Sequence, residues 1–455
     1  MKKKSDKNFF FLILFSWLSL LLSINSKPEE IIYFGDGFVN SINAIRIITP
    51  FIVTIFLSLY IFLNIKFFYI KKLPLIFFVW LFYFLLQGMG FFLGINEFTS
   101  YISSLYLLIF SITVLEIIYL IKKKKTNFRI SYLMLLLVIV LACVFFLYFF
   151  YYLNSTNIFV IQDRFDLYYL IDPDSYFMNQ TGPRITGLSR TCSIVAIFLL
   201  IIFFYKNFKN NIKILVLLSL TILSFLVWYM QSRGTILCYY FSILFIIFFI
   251  KKIDLKKKLF FVSLLIILPI ASNYFYFNVL KKNLELEKEK ISNQNESRQG
   301  IQKNSGPRII ENKTDSGRFF LWSELLKSYD FKKVFGYGPQ ADRLLLKGET
   351  NSLGITYGNN ASNGFIYAFI CGGYLGLLCY ILINIQILIF IYKCVIINKI
   401  FIKNEQIYIK LSITYLLFFF IRQFLENSFS LFSIDYLIVI ISCFIAEEFL
   451  KKNHK

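Results

Sequence analysis

Long apolar runs alternate with short polar breaks along almost the whole chain, near 9–24, 45–65, 73–93, 101–121, 132–153, 191–205, 212–230, 235–250, 259–277, 364–392, 407–424 and 431–450. Most are about 16–25 residues long, the length a helix needs to cross a hydrocarbon core. Backbone amides find no water in lipid, so each run is expected to be a helix. The pattern predicts an all-α polytopic membrane protein with about 12 transmembrane helices, in a single integral membrane domain over 1–455. Two polar stretches break the rhythm, at 154–189 and at 278–363.

The charges sort these breaks by side. Lysines crowd the short loops 66–72, 122–129, 206–213, 251–258 and 393–410 and both ends of the chain, whereas loops 94–100 and 425–430 contain no lysine or arginine. Under the positive-inside rule the lysine-rich loops and both termini face the cytoplasm, and the two long polar stretches become outer loops. The N-terminal lysines and the run 9–24 lack an A-x-A-like cleavage site, so they read as a retained first helix rather than a signal peptide. A net charge of +22 would suit nucleic acid, but no basic face with interleaved aromatics stands outside the apolar runs. Anionic lipid headgroups account for it instead.

Composition narrows the chemistry further. The chain is 58% hydrophobic and 20% aromatic, with seven cysteines and one histidine. The cysteines lie in or beside apolar runs with no C-x-x-C pair or ligand spacing, so they read as small packing residues. His454 sits in the basic tail. Histidine catalysis and a histidine-ligated metal are excluded on that ground, and neither metal nor cofactor is expected.

The second outer loop carries most of the candidate chemistry. In 278–363 the apolar residues Phe319, Leu321, Trp322, Leu325 and Leu326 recur at helical spacing, which predicts an amphipathic helix at the membrane surface. Arginine is concentrated on the outer side, at Arg164, Arg184, Arg190, Arg233, Arg298, Arg308, Arg318 and Arg343. Lysine would suffice for topology, whereas a guanidinium fork fits phosphate oxygens at two points. Arg184, Arg190, Arg233 and Arg318 stand out as groups that would suit a lipid diphosphate. The plainer reading is that some of them pair with nearby acids such as Asp163 or Asp315. Gly336 and Gly338 permit a tight backbone turn. Aromatic residues here also serve as membrane-interface anchors. Gly372, Gly373 and Gly376 read as helix-packing residues, and Arg422 with Glu426, at i,i+4, as a structural pair.

Taken in order, these motifs resemble the O-antigen polymerase and ligase superfamily of bacterial membrane glycosyltransferases. They are Arg184-Ile-Thr-Gly187, Ser232-Arg233-Gly234, Ser316-Gly317-Arg318 with Trp322, Gly336-Tyr337-Gly338, and Asn363 with Gly373 and Gly376. The resemblance implies a GT-C-like fold and an inverting, metal-independent transferase of the inner (cytoplasmic) membrane, acting on its outer side. It also implies a donor glycan on undecaprenyl diphosphate, and a flippase and a chain-length regulator as partners. For such a transfer the resemblance makes Arg184, Arg233 and Arg318 the leading catalytic candidates, with Arg190 beside them, Asp315 and Glu324 candidate bases, and Asn363, Trp322, Gly336, Tyr337 and Gly338 candidate substrate contacts. The ligase pattern has a histidine before the asparagine; Ser362-Asn363 stands here instead, which favours a polymerase. A ligase and a lipid-linked oligosaccharide flippase remain the alternatives.

Overall fold

The computed structural model describes residues 52, 55–56, 59, 75–89, 185–205, 210–229, 232–249, scattered positions in 256–274, 318–331, 334–345, 361–397, 407–430 and 434–453. The expected spans at 9–24, 101–121 and 132–153 lie outside them, as do most of 45–65 and 259–277. So do Arg184 and Asp315. All regular structure among the described residues is helical. The chain divides into two compact units, one built from 1–21, 45–137 and 315–455, the other from 22–44 and 138–314.

The described part of the second unit is three helices: α2 (Ile185–Tyr205), α3 (Asn210–Tyr229) and α4 (Arg233–Phe249). Helix α2 packs on both of the others. Its seam uses small polar residues whose hydroxyls return to the backbone one turn earlier, as Ser193 does to the Ser189 carbonyl at 2.9 Å. This satisfies a hydroxyl without water. Ser224 of α3 meets the Tyr239 hydroxyl of α4 at 2.6 Å. The opposite face of α3 exposes Ile214, Leu215, Leu218 and Ile222, which suits contact with lipid.

The first unit contains α1 (Leu75–Gly88), α5 (Arg318–Lys327), α6 (Ala341–Leu345), α7 (Gly364–Tyr392), α8 (Ile407–Arg422) and α9 (Ile434–Asn453). Helix α7 packs on α1 and α8, and α8 packs on α9. An aromatic cluster joins them. Trp80 of α1 lies 5.0 Å from the Tyr436 ring of α9, and Tyr83 lies 5.6 Å from Tyr380 of α7. Between α8 and α9, Arg422 Nη1 and Asp435 Oδ2 form a 2.6 Å ion pair with side chains 5% and 1% exposed. The sequence reading pairs Arg422 with Glu426 one turn on. Instead its guanidinium crosses to α9.

Helix α7 is not the single rod that its apolar run predicts. Gly373 has φ 65° and ψ −161°, outside helical geometry, and the chain reverses there. The Phe365 and Tyr380 rings are 5.3 Å apart, although 15 residues of straight helix would separate them by roughly 22 Å. A Cβ on Gly376 would come within 3.0 Å of the Ala368 carbonyl oxygen, so the two arms run antiparallel in close contact. Two helices are long and apolar enough to cross a membrane among the described residues, Asn210–Trp228 and Gly364–Val395. In the latter, the arm after Gly373 still measures roughly 33 Å at 1.5 Å per residue, enough to span.

Candidate functional site

Segments 318–345 and 361–363 of the first unit pack against the α7 hairpin. At the end of its first arm, the reversal at Gly373 leaves the Ile370 and Cys371 carbonyls without their usual partners one turn on. The Gly336-Tyr337-Gly338 segment supplies them. Tyr337 N donates to Ile370 O and Gly338 N to Cys371 O, each at 3.0 Å. Gly336 has φ 72°, and a Cβ there would come within 2.7 Å of the Cys371 carbonyl carbon. The two glycine motifs are thus the two halves of one contact. Of the three glycines read as helix packing, Gly376 keeps that role between the two arms, Gly372 leaves ordinary contact distance to Gln87 of α1, and Gly373 is the turn itself.

The start of the hairpin is tied to the turn after α8. Asn363 caps α7, its Oδ1 accepting from Phe365 N at 2.9 Å and Ile366 N at 3.2 Å. Its Nδ2 donates to the Phe424 carbonyl at 3.3 Å, and its backbone N donates to Asn427 Oδ1 at 3.1 Å. Gly364 N donates to the Gln423 carbonyl at 2.7 Å. Asp342 of α6, fully buried, accepts at Oδ2 from Ala361 N at 2.7 Å and from Asn427 Nδ2 at 3.3 Å. One carboxylate therefore joins α6, the approach to α7 and the 423–430 turn.

Helix α5 lies against this frame. It buries Leu321 and Leu325, and Trp322 Nε1 donates to the Ala361 carbonyl at 2.7 Å. Its other side presents Phe319, 69% exposed. Phe319, Trp322, Ser323, Leu326, Lys327 and Phe331 line an open, mostly apolar groove of about 480 Å³. The helix thus buries one apolar side and leaves the other exposed. At the head of α5, Arg318 Nη2 stands 3.8 Å from Glu426 Oε1, with side chains 29% and 18% exposed.

The predicted site residues fall into distinct settings. Arg318, Trp322 and Glu324 share α5, and Glu324 is engaged by Lys327 Nζ at 2.7 Å. Gly336, Tyr337 and Gly338 hold the hairpin, and the Tyr337 hydroxyl accepts from Asp330 N at 3.0 Å. Asn363 spends both ends of its amide on backbone. In the other unit, Arg190 is half-buried near the start of α2 and Arg233 is the first residue of α4. No group of acids, cysteines or histidine suited to a metal occurs among the described residues.

The residues that sequence reasoning missed are Asp342, Asn427 and, as a partner of Arg318, Glu426. Asp342 resembles any loop acid in sequence, and only its burial marks it. Glu426 is an acid at the edge of an apolar run, and its i,i+4 spacing points to Arg422. Residues 218–381 match the family model described as O-antigen ligase. No curated protein and no solved structure matches the chain.

Proposed function

We propose, from the match that joins residues 218–381 to the O-antigen polymerase/ligase superfamily, that this membrane enzyme polymerises undecaprenyl-diphosphate-linked oligosaccharide units. In this reading the reaction occurs at the outer face of the cytoplasmic membrane. A hydroxyl of the acceptor glycan attacks the anomeric carbon of the donor, and the bond from that carbon to the phosphate oxygen breaks with inversion. The electron pair leaves with the diphosphate, and the hydroxyl proton passes to a carboxylate, with Asp315 or Glu324 as candidates. A guanidinium at the developing negative charge lowers the barrier.

One observation carries this reading. Arg318 stands at the head of a surface helix beside an apolar groove, with an ion pair at 3.8 Å. That distance exceeds a hydrogen bond, so the pair leaves the guanidinium's donors available to phosphate oxygens. The groove offers aromatic faces for sugar rings at Trp322 and Phe319. Arg184 and Arg233 are assigned to the same substrate class on their place in the sequence motifs alone, and Arg190 on its place shortly after Arg184.

Ser362 before Asn363 supports polymerase over ligase, and the description of the matching family favours the ligase as the second reading. The surface glycan of a deletion strain separates them. Single-repeat caps indicate a polymerase. Polymer retained on the carrier lipid indicates a ligase, and lipid-linked units trapped inside indicate a flippase.

A further inference from the structure

Arg318 is a long side chain at the first position of a ten-residue helix, and a guanidinium there has many rotamers to sample. Glu426 has the opposite setting. Its amide donates to the Arg422 carbonyl at 2.9 Å, and its neighbours on both sides are locked. Gln423 accepts from Gly364 N at 2.7 Å, and Asn427 bonds both Asn363 and Asp342. Three residues beyond Asn427, the Ser430 carbonyl accepts from the Tyr83 hydroxyl at 2.9 Å. The carboxylate is therefore carried on a rigid turn, and the cation near it sits on a surface helix.

We infer that Glu426 is a positioning residue for Arg318, holding the guanidinium in place for an anionic diphosphate. The inference rests on the function proposed above. The 3.8 Å separation decides between orienting and competing. A two-point carboxylate–guanidinium pair would occupy the donors that phosphate needs. At this distance Glu426 acts through charge and direction while the donors stay available. Glu426 lies beyond the matched segment 218–381, so nothing in that match assigns it a role.

The test is binding of undecaprenyl diphosphate to the full-length protein in lipid nanodiscs. Wild type should bind, and Arg318→Ala should weaken binding at least about tenfold, the scale of a charge-assisted contact. Glu426→Gln should weaken it about three- to fivefold, the range of a half-exposed ion pair. Glu426→Asp should recover part of that loss. In the Arg318→Ala background Glu426→Gln should have no further effect, because its action passes through that guanidinium. Binding by Glu426→Gln as tight as wild type or tighter overturns the inference. So does an equal loss in both backgrounds, which would mean a merely structural role. If wild type does not bind the probe, or Arg318→Ala binds it equally well, the proposed function of this site fails, and the role of Glu426 fails with it.

Discussion

Gly336 and Gly373 occupy each other's side-chain space. A Cβ on Gly373 would come within 2.6 Å of the Gly336 amide nitrogen, and both residues have positive φ. Gly373→Ala and Gly336→Ala should each lose on the order of 3 kcal/mol, from backbone strain plus overlap with main-chain atoms that cannot move aside. Gly372→Ala, whose Cβ would meet only Gln87 Cγ at 3.8 Å, should stay within about 0.5 kcal/mol of wild type. Thermal unfolding in detergent across the three variants checks the series. Equal effects at Gly372 and Gly373 would contradict the reversal of α7.

The buried carboxylate of Asp342 gives a second series. Asp342→Ala leaves Ala361 N and Asn427 Nδ2 without their acceptor and should cost about 1–3 kcal/mol. Asn427→Ala should cost a similar amount, and the double variant less than the sum, because the two side chains bond each other. Asn363→Ala should cost about 1 kcal/mol through the lost cap. Strict additivity at Asp342 and Asn427 would rule out the shared bond.

For Arg422 and Asp435, removing either partner should cost about 3–5 kcal/mol, because the other charge is left buried and alone. Replacing both with apolar residues of similar volume should recover much of that loss. If Arg422 were paired with Glu426 instead, Glu426→Gln would be as damaging as Asp435→Asn. The expected order is the reverse.

Tyr329, in the segment after α5, has its phenol pushed up to about 12 by burial, with the neighbouring Tyr337 hydroxyl next in effect. A folded-state value raised above the usual 10 favours the neutral form. The stabilisation is therefore present below pH 10 and disappears as pH rises towards 12. Tyr329→Phe should flatten that part of the stability curve and leave it unchanged near neutrality. Alkaline titration of unfolding in the two proteins measures the difference.

The sequence made some of this plain and hid the rest, for physical reasons. Helices at 75–88, 210–229 and 407–422 follow from apolar runs in a setting without water, and the helix at 318–327 follows from its spacing of Phe319, Trp322 and Leu326. The α7 reversal was hidden because its two arms form one unbroken apolar run, and a glycine inside such a run reads equally well as packing. Its partner, Gly336, is remote in sequence. Asn363 had a legible signal, since an asparagine before a helix start is a favoured cap. The partner of Arg318 was not legible, because Glu426 reaches it across the fold.

The central claim is that the Arg318 guanidinium grips a carrier-lipid diphosphate during sugar transfer. The most direct measurement is the surface glycan ladder of a deletion strain complemented with Arg318→Lys, alongside the amount of variant protein in the membrane. Lysine keeps the charge but cannot make the two-point contact. The prediction is normal membrane insertion with only single-repeat glycan. A full-length ladder from Arg318→Lys would contradict the claim.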